Sequence, residues 1–180
     1  MLLPWSLGLG LRIGLGWTLL CTTAWSAPPP NPLQLTTAEA VLGILAHTRW
    51  PQGAGRPLTL CLNERSTSAL ALRTLPDSVP PGKLAPVRLI DPEDAPHIGC
   101  DALYLGAGPW SGEALARLAG RPVLSVGEGA EFCSRGGMFC LVPRGQGVRV
   151  EVNLDAVARS GLHVHPQVLK LGQPRPGTTP

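Results

Sequence analysis

Residues 102–105, Ala102-Leu103-Tyr104-Leu105, form a short run that is apolar at nearly every position. A strand apolar on both faces is one buried on both faces, as the central strands of a parallel sheet are. After Gly106, Ser111 is suited to cap a helix that runs through Leu118 and stops at Gly120. Residues 123–126, Val123-Leu124-Ser125-Val126, read as the next strand. This strand-helix-strand unit sets the pattern for the segments on either side.

Upstream, Leu58, Leu60 and Leu62 alternate with Thr59 and Cys61, which predicts a strand. Residues 66–75 predict a helix with Ala69, Leu70 and Leu72 as its apolar set, and residues 87–90 a strand. Earlier still, Thr36 and Glu39 form a T-x-x-E capping box before Val41, Leu42 and Leu45. The expected helix runs to about Arg49, with Pro51 as its stop.

Downstream, residues 128–134 give one helical turn, broken by Gly136-Gly137. Residues 138–142 and 148–152 alternate around Gly145-Gln146-Gly147 and predict a β-hairpin. Residues 154–160 predict a short helix ended by Gly161. His163-Val164-His165 is extended, because Pro166 disfavours helix before it. Residues 168–171 close with a last turn. The alternation predicts an α/β, three-layer fold: a mainly parallel sheet, flanking helices and a C-terminal β-hairpin.

The ends point to a compartment. Residues 1–26 read as an export signal, dominated by Leu, Ile, Gly and Trp with Arg12 as the sole charge. Ala24-Trp25-Ser26 places small residues at the −3 and −1 positions, so cleavage is expected after Ser26. An uncleaved anchor is the rival, but the Gly-rich stretch before Arg12 suits a spanning helix less well. Cys21 follows Leu19-Leu20 and so lacks the small residue that a lipidation site needs before its cysteine. Residues 27–34 and 173–180 are Pro-rich and read as a disordered leader and tail around a domain at 35–172. The formal charge of +3 falls to +2 without Arg12, too little for a global basic field suited to nucleic acid. A hydrophobic fraction of 44% argues against wholesale disorder.

Five cysteines become four once Cys21 leaves with the signal. In an exported domain four cysteines imply two disulfides, with three pairings open. Cys133 and Cys140 flank the Gly136-Gly137 turn, so a local bridge is easy. Cys61 lies in the first strand and Cys100 just before the third, and a flavodoxin-like order makes these strands neighbours. The expected bridges are Cys61–Cys100 and Cys133–Cys140. Zinc held by four thiolates is disfavoured, because neither pair has C-x₂₋₄-C spacing, and a redox C-x-x-C is absent.

Other motifs carry less. Gly106-Ala107-Gly108 invites a dinucleotide-loop reading, but the third glycine is one residue late and Pro109-Trp110 crowd the loop. His163 and His165 share one face of an extended segment, which fits a ligand or partner contact or a solvated pair; a metal site would need a third ligand. Arg149 and Glu151 fall on one face of a strand, as an exposed charge pair would. Arg49 reads as an arginine near a helix C-terminus, where the dipole favours it. With no G-x-S-x-G and no ordered Ser/His/Asp set, no catalytic residue, metal or cofactor is expected.

The residues then reach a family. The carrying stretches begin with Val41-Leu42-Gly43-Ile44-Leu45, Thr48-Arg49-Trp50-Pro51, Cys100-Asp101 and Leu103-Tyr104-Leu105-Gly106. They continue with Gly120-Arg121-Pro122-Val123-Leu124-Ser125, Gly137-Met138-Phe139-Cys140-Leu141, Asn153-Leu154-Asp155 and Ala158-Arg159-Ser160-Gly161. The last are Val164-His165-Pro166 and Val168-Leu169-Lys170-Leu171. In order and spacing, from about Leu35 to Leu171, the chain resembles the YfiR family of periplasmic signalling proteins.

The resemblance implies a regulator and not an enzyme. It implies a periplasmic homodimer with two disulfides that represses a YfiN-like inner-membrane diguanylate cyclase through the cyclase's periplasmic domain. It also implies sequestration by a YfiB-like outer-membrane lipoprotein, with cyclic di-GMP and biofilm formation as the output. A site for small aromatic metabolites is implied at Arg49, Glu151 and His165. His163 stands where the family pattern has arginine, so this chain lacks a guanidinium fork there. The alternative is a periplasmic small-molecule binding protein.

Overall fold

The computed structural model describes residues 32–53, 56–80, 82–107, 112–145 and 147–171. The expected signal and tail, the Ser111 cap and the Gly108 end of the glycine loop lie outside the described residues. Six strands form one sheet in the order β3-β2-β4-β5-β6-β7. They are β2 (Leu60–Asn63), β3 (Arg88–Ile90), β4 (Ala102–Gly106), β5 (Leu124–Glu128), β6 (Phe139–Arg144) and β7 (Gly147–Val152). The first five in spatial order run parallel, and β7 closes the far edge antiparallel to β6 through the hairpin. The mainly parallel sheet, the hairpin and the adjacency of the first and third expected strands all match the sequence expectation.

β4 is buried along its whole length because its two faces serve two separate cores. Tyr104 joins Val41, Ile44, Leu62, Val126 and Leu141 on one side, under α1 (Pro32–Ala46). Leu103 and Leu105 join Cys61, Phe132 and Cys140 on the other. That second side is covered by α3 (Ala95–Ile98), α4 (Gly112–Leu118) and α5 (Ala130–Ser134). The first side is shared by α2 (Ala69–Leu72) and α6 (Leu154–Ser160) through Leu72 and Ala156. Helices on both faces give the expected three layers. Each fully buried leucine here contributes roughly 1.5–3 kcal/mol.

The crossover from β5 to β6 is short for a parallel connection. It closes because Phe132 of α5 lies between two glycines. A Cβ on Gly127 would stand 2.4 Å from the ring, and one on Gly137 would stand 2.1 Å from it. Only hydrogen at both positions lets the ring fit. α6 begins at Asn153, whose side chain accepts from the Ala156 amide at 3.0 Å and donates to the Cys133 carbonyl at 2.9 Å. It ends on Gly161 in the left-handed region, as the sequence predicts.

Three expectations are corrected. α1 begins at Pro32, upstream of the T-x-x-E motif, so Thr36 and Glu39 lie inside the helix and do not start it. The same helix ends at Ala46, and Arg49 sits in a strand, because Thr48 and Arg49 find a backbone partner at the other end of the domain. The helix expected over 66–75 shrinks to Ala69–Leu72 followed by a 3₁₀ turn at Leu75–Ser78. Within it Leu70 is 73% exposed, so it does not belong to the apolar face.

Candidate functional site

Thr48–Arg49 (β1) and His163–Val164 (β8) pair antiparallel as a two-stranded ribbon separate from the main sheet. Thr48 lies opposite Val164, and Arg49 lies opposite His163. The ribbon gains one more rung where the His165 amide donates to the His47 carbonyl at 2.9 Å. Thr48 is buried and its hydroxyl donates to the Ile44 carbonyl at 2.8 Å, while Val164 packs against the core. That pair faces inward. Strand alternation therefore puts Arg49, His163 and His165 on the outer face, and the His47 ring lies beside that of His165.

Arg49, His163 and His165 are exposed, and His47 is half-buried. The His47 and His165 rings are 6.1 Å apart, tilted by 46°. Backbone partners assign their tautomers. His47 Nδ1 lies 2.7 Å from the Gly43 carbonyl, so it carries the proton and leaves Nε2 as an acceptor. His165 Nδ1 accepts from the Gln167 amide at 3.2 Å, so the neutral ring carries its proton on Nε2. The face thus offers an acceptor, a donor and the guanidinium fork of Arg49. This chemistry suits a small ligand with a carboxylate and a flat ring.

Of the four expected ligand residues, the ribbon brings Arg49, His163 and His165 together. Glu151 sits on β7, half-buried, and its carboxylate bonds the Arg149 guanidinium of the same strand. β7 in turn contacts the 3₁₀ turn Pro166–Lys170 that follows His165. His47 was missed by sequence reasoning, which placed it inside a helix. Its signal was its position two residues before Arg49, in the turn that leads from α1 into the strand.

The ribbon is anchored to the sheet through Asp101. Trp50 Nε1 donates to the Asp101 carbonyl at 3.1 Å, directly after Arg49. The Asp101 carboxylate accepts from Arg56 at 2.7 and 2.6 Å and from the Thr59 amide at 2.8 Å. These bonds hold the Arg56 guanidinium above its ordinary value, first through hydrogen bonding and then through the charge of Asp101. The preceding residue, Cys100, is bridged to Cys61 in β2 with Cα atoms 5.8 Å apart. Cys133 and Cys140 form the second bridge, also at 5.8 Å. Both pairings match the expectation.

Among the described residues no group of three or more His, Cys, Asp or Glu could hold a metal ion. No helix among them is long and apolar enough to cross a membrane. What the fold and ribbon define is a disulfide-braced α/β domain that presents a basic, histidine-rich face. Residues 35–173 match the family model described as YfiR/HmsC-like, and the chain belongs to that family.

Proposed function

We propose that this protein is a periplasmic negative regulator of an inner-membrane diguanylate cyclase. The family match across residues 35–173 carries the reading. The two bridges support it, because disulfides persist in an oxidising compartment. In this reading residues 1–26 direct export and are removed, and the domain works as a homodimer without catalysing a reaction. It binds the periplasmic domain of a YfiN-like cyclase more tightly in the inactive conformation and so holds the enzyme there. A YfiB-like outer-membrane lipoprotein captures the regulator and releases the cyclase. Low cyclic di-GMP and weak biofilm formation are the resting output.

Deleting the gene tests this directly. Cyclic di-GMP should rise severalfold and return on complementation; an unchanged level sinks the repressor reading.

The ribbon face favours a second reading, that of a binding protein for small aromatic carboxylates, with Arg49, Glu151, His163 and His165 as its ligand set. Calorimetry with aromatic amino acids separates the two. Saturable binding that Arg49→Ala weakens about tenfold, the worth of one charge-assisted contact, supports it. Binding indifferent to Arg49 removes the ribbon from consideration.

A further inference from the structure

A second polar cluster lies at the C-terminal ends of the parallel strands. In open α/β sheets, ligands settle beyond those ends, at the point where successive connections leave in opposite directions. Here the order β3-β2-β4-β5 puts that point between β2 and β4. The segment after β2 folds over the end of β4. Ser66 comes so near Gly106 that a Cβ there would stand 2.0 Å from its Oγ. Gly106 also has a φ of +64°, so both its space and its backbone require glycine.

Three side chains converge beyond that contact. Ser68 Oγ donates to Glu128 Oε1 at 2.6 Å, and the buried Tyr104 hydroxyl donates to the same oxygen. Among the described residues, Glu128 Oε2 receives no hydrogen bond. Ser66 is 6% exposed, and its Oγ is buried with no hydrogen-bond partner.

Charge sets Glu128 apart as well. Every other buried or half-buried carboxylate among the described residues has an arginine: Asp91 has Arg65, Glu93 has Arg117, Asp101 has Arg56 and Glu151 has Arg149. Among the described residues Glu128 has two hydroxyl donors and no cation. A partly desolvated carboxylate without a countercharge is costly, and a cation from outside would offset that cost.

We propose that this end of the sheet binds a small cationic ligand, a protonated amine or guanidinium, on Glu128 Oε2 with the Ser66 hydroxyl as second acceptor. The site is independent of the Arg49 face and has the opposite charge preference.

The test uses the oxidised, full-length protein labelled with ¹⁵N. Ethylammonium chloride is titrated against sodium chloride at equal ionic strength, following the amides of Ser66, Ser68, Gly106 and Glu128. Saturable shifts confined to these amides are expected with ethylammonium, and none with sodium. Glu128→Gln should weaken binding about tenfold, the worth of one charge-assisted contact, while Arg49→Ala leaves it unchanged. Ser66→Ala, which keeps the carboxylate, serves as the second variant and should weaken binding to a lesser degree. Shifts that match the sodium control, or saturable binding that survives both Glu128→Gln and Ser66→Ala, overturn the proposal.

Discussion

The indole of Trp50 reaches across to the main-chain carbonyl of Asp101 at 3.1 Å, and this one bond joins the ribbon strand to the start of the central strand. The carboxylate of Asp101 is largely buried and gathers Arg56 and the Thr59 amide. Asp101→Asn should destabilise the protein by about 1–3 kcal/mol, since it weakens charged hydrogen bonds to a buried group. Arg56→Ala should also destabilise it, because the largely buried Asp101 carboxylate would lose its cation. Urea unfolding midpoints measure both losses; midpoints unchanged in both variants would mean that Asp101 does not hold this end of the sheet.

The two bridges should not contribute equally. Cys61–Cys100 closes a loop with a sequence separation of 39 and Cys133–Cys140 one of 7. Loop-closure entropy gives roughly 4 and roughly 2.5 kcal/mol as upper-end values. Replacing Cys61 and Cys100 with serine should lower abundance and the unfolding midpoint more than replacing Cys133 and Cys140. Equal losses would show that the long bridge has no extra role in the denatured chain.

Tyr104 is the chain's single tyrosine, so tyrosinate absorbance reports on it alone. Burial, then the charge of Glu128 and the hydrogen bond to it, push the phenol well above its ordinary value, against a smaller opposing effect of Ser68 and Ser66. The folded phenol keeps its proton to higher pH than the unfolded one. Its contribution is therefore complete below the ordinary tyrosine value of about 10 and fades as pH climbs beyond it, by up to about 1.4 kcal/mol per unit. Tyrosinate should appear only together with unfolding. Tyr104→Phe should be less stable at neutral pH, and the gap should narrow in alkali. A titration near 10 in the folded protein would place the phenol in water instead.

Gly137 has room for nothing larger beside Phe132. Gly137→Ala should cost about 1–3 kcal/mol through overpacking, and adding Phe132→Leu should recover part of it. A double-mutant cycle on thermal unfolding measures the coupling; additive losses would mean that the ring is not what the methyl group meets.

Much of this architecture is visible in the sequence, and the failures have physical causes. β4 declares itself because residues buried on both faces leave an unbroken apolar run. α6 does so because Asn153 and Gly161 mark its ends chemically. Arg49 was misplaced because its strand is made by a partner that lies at the far end of the chain, and no local pattern encodes that. The short helix near Leu70 was overextended for a related reason: Ala and Leu favour helix, but the chain must turn there to bring Ser66 and Ser68 over β4. Of the ribbon face, the residues matching the family pattern were legible and His47 was not. The Glu128 cluster left no local trace, since its members come from three separate segments.

The ribbon also has a bearing on how the chain matures. Its two strands come from opposite ends of the domain, and Arg49 emerges from synthesis well before His163. Until residues 163–165 arrive, Arg49 has no strand opposite it and His47 has no imidazole beside it. The basic face is therefore a mark of completion. A chain truncated before β8 could still form most of its sheet, yet it would lack the face that joins Arg49 to His163.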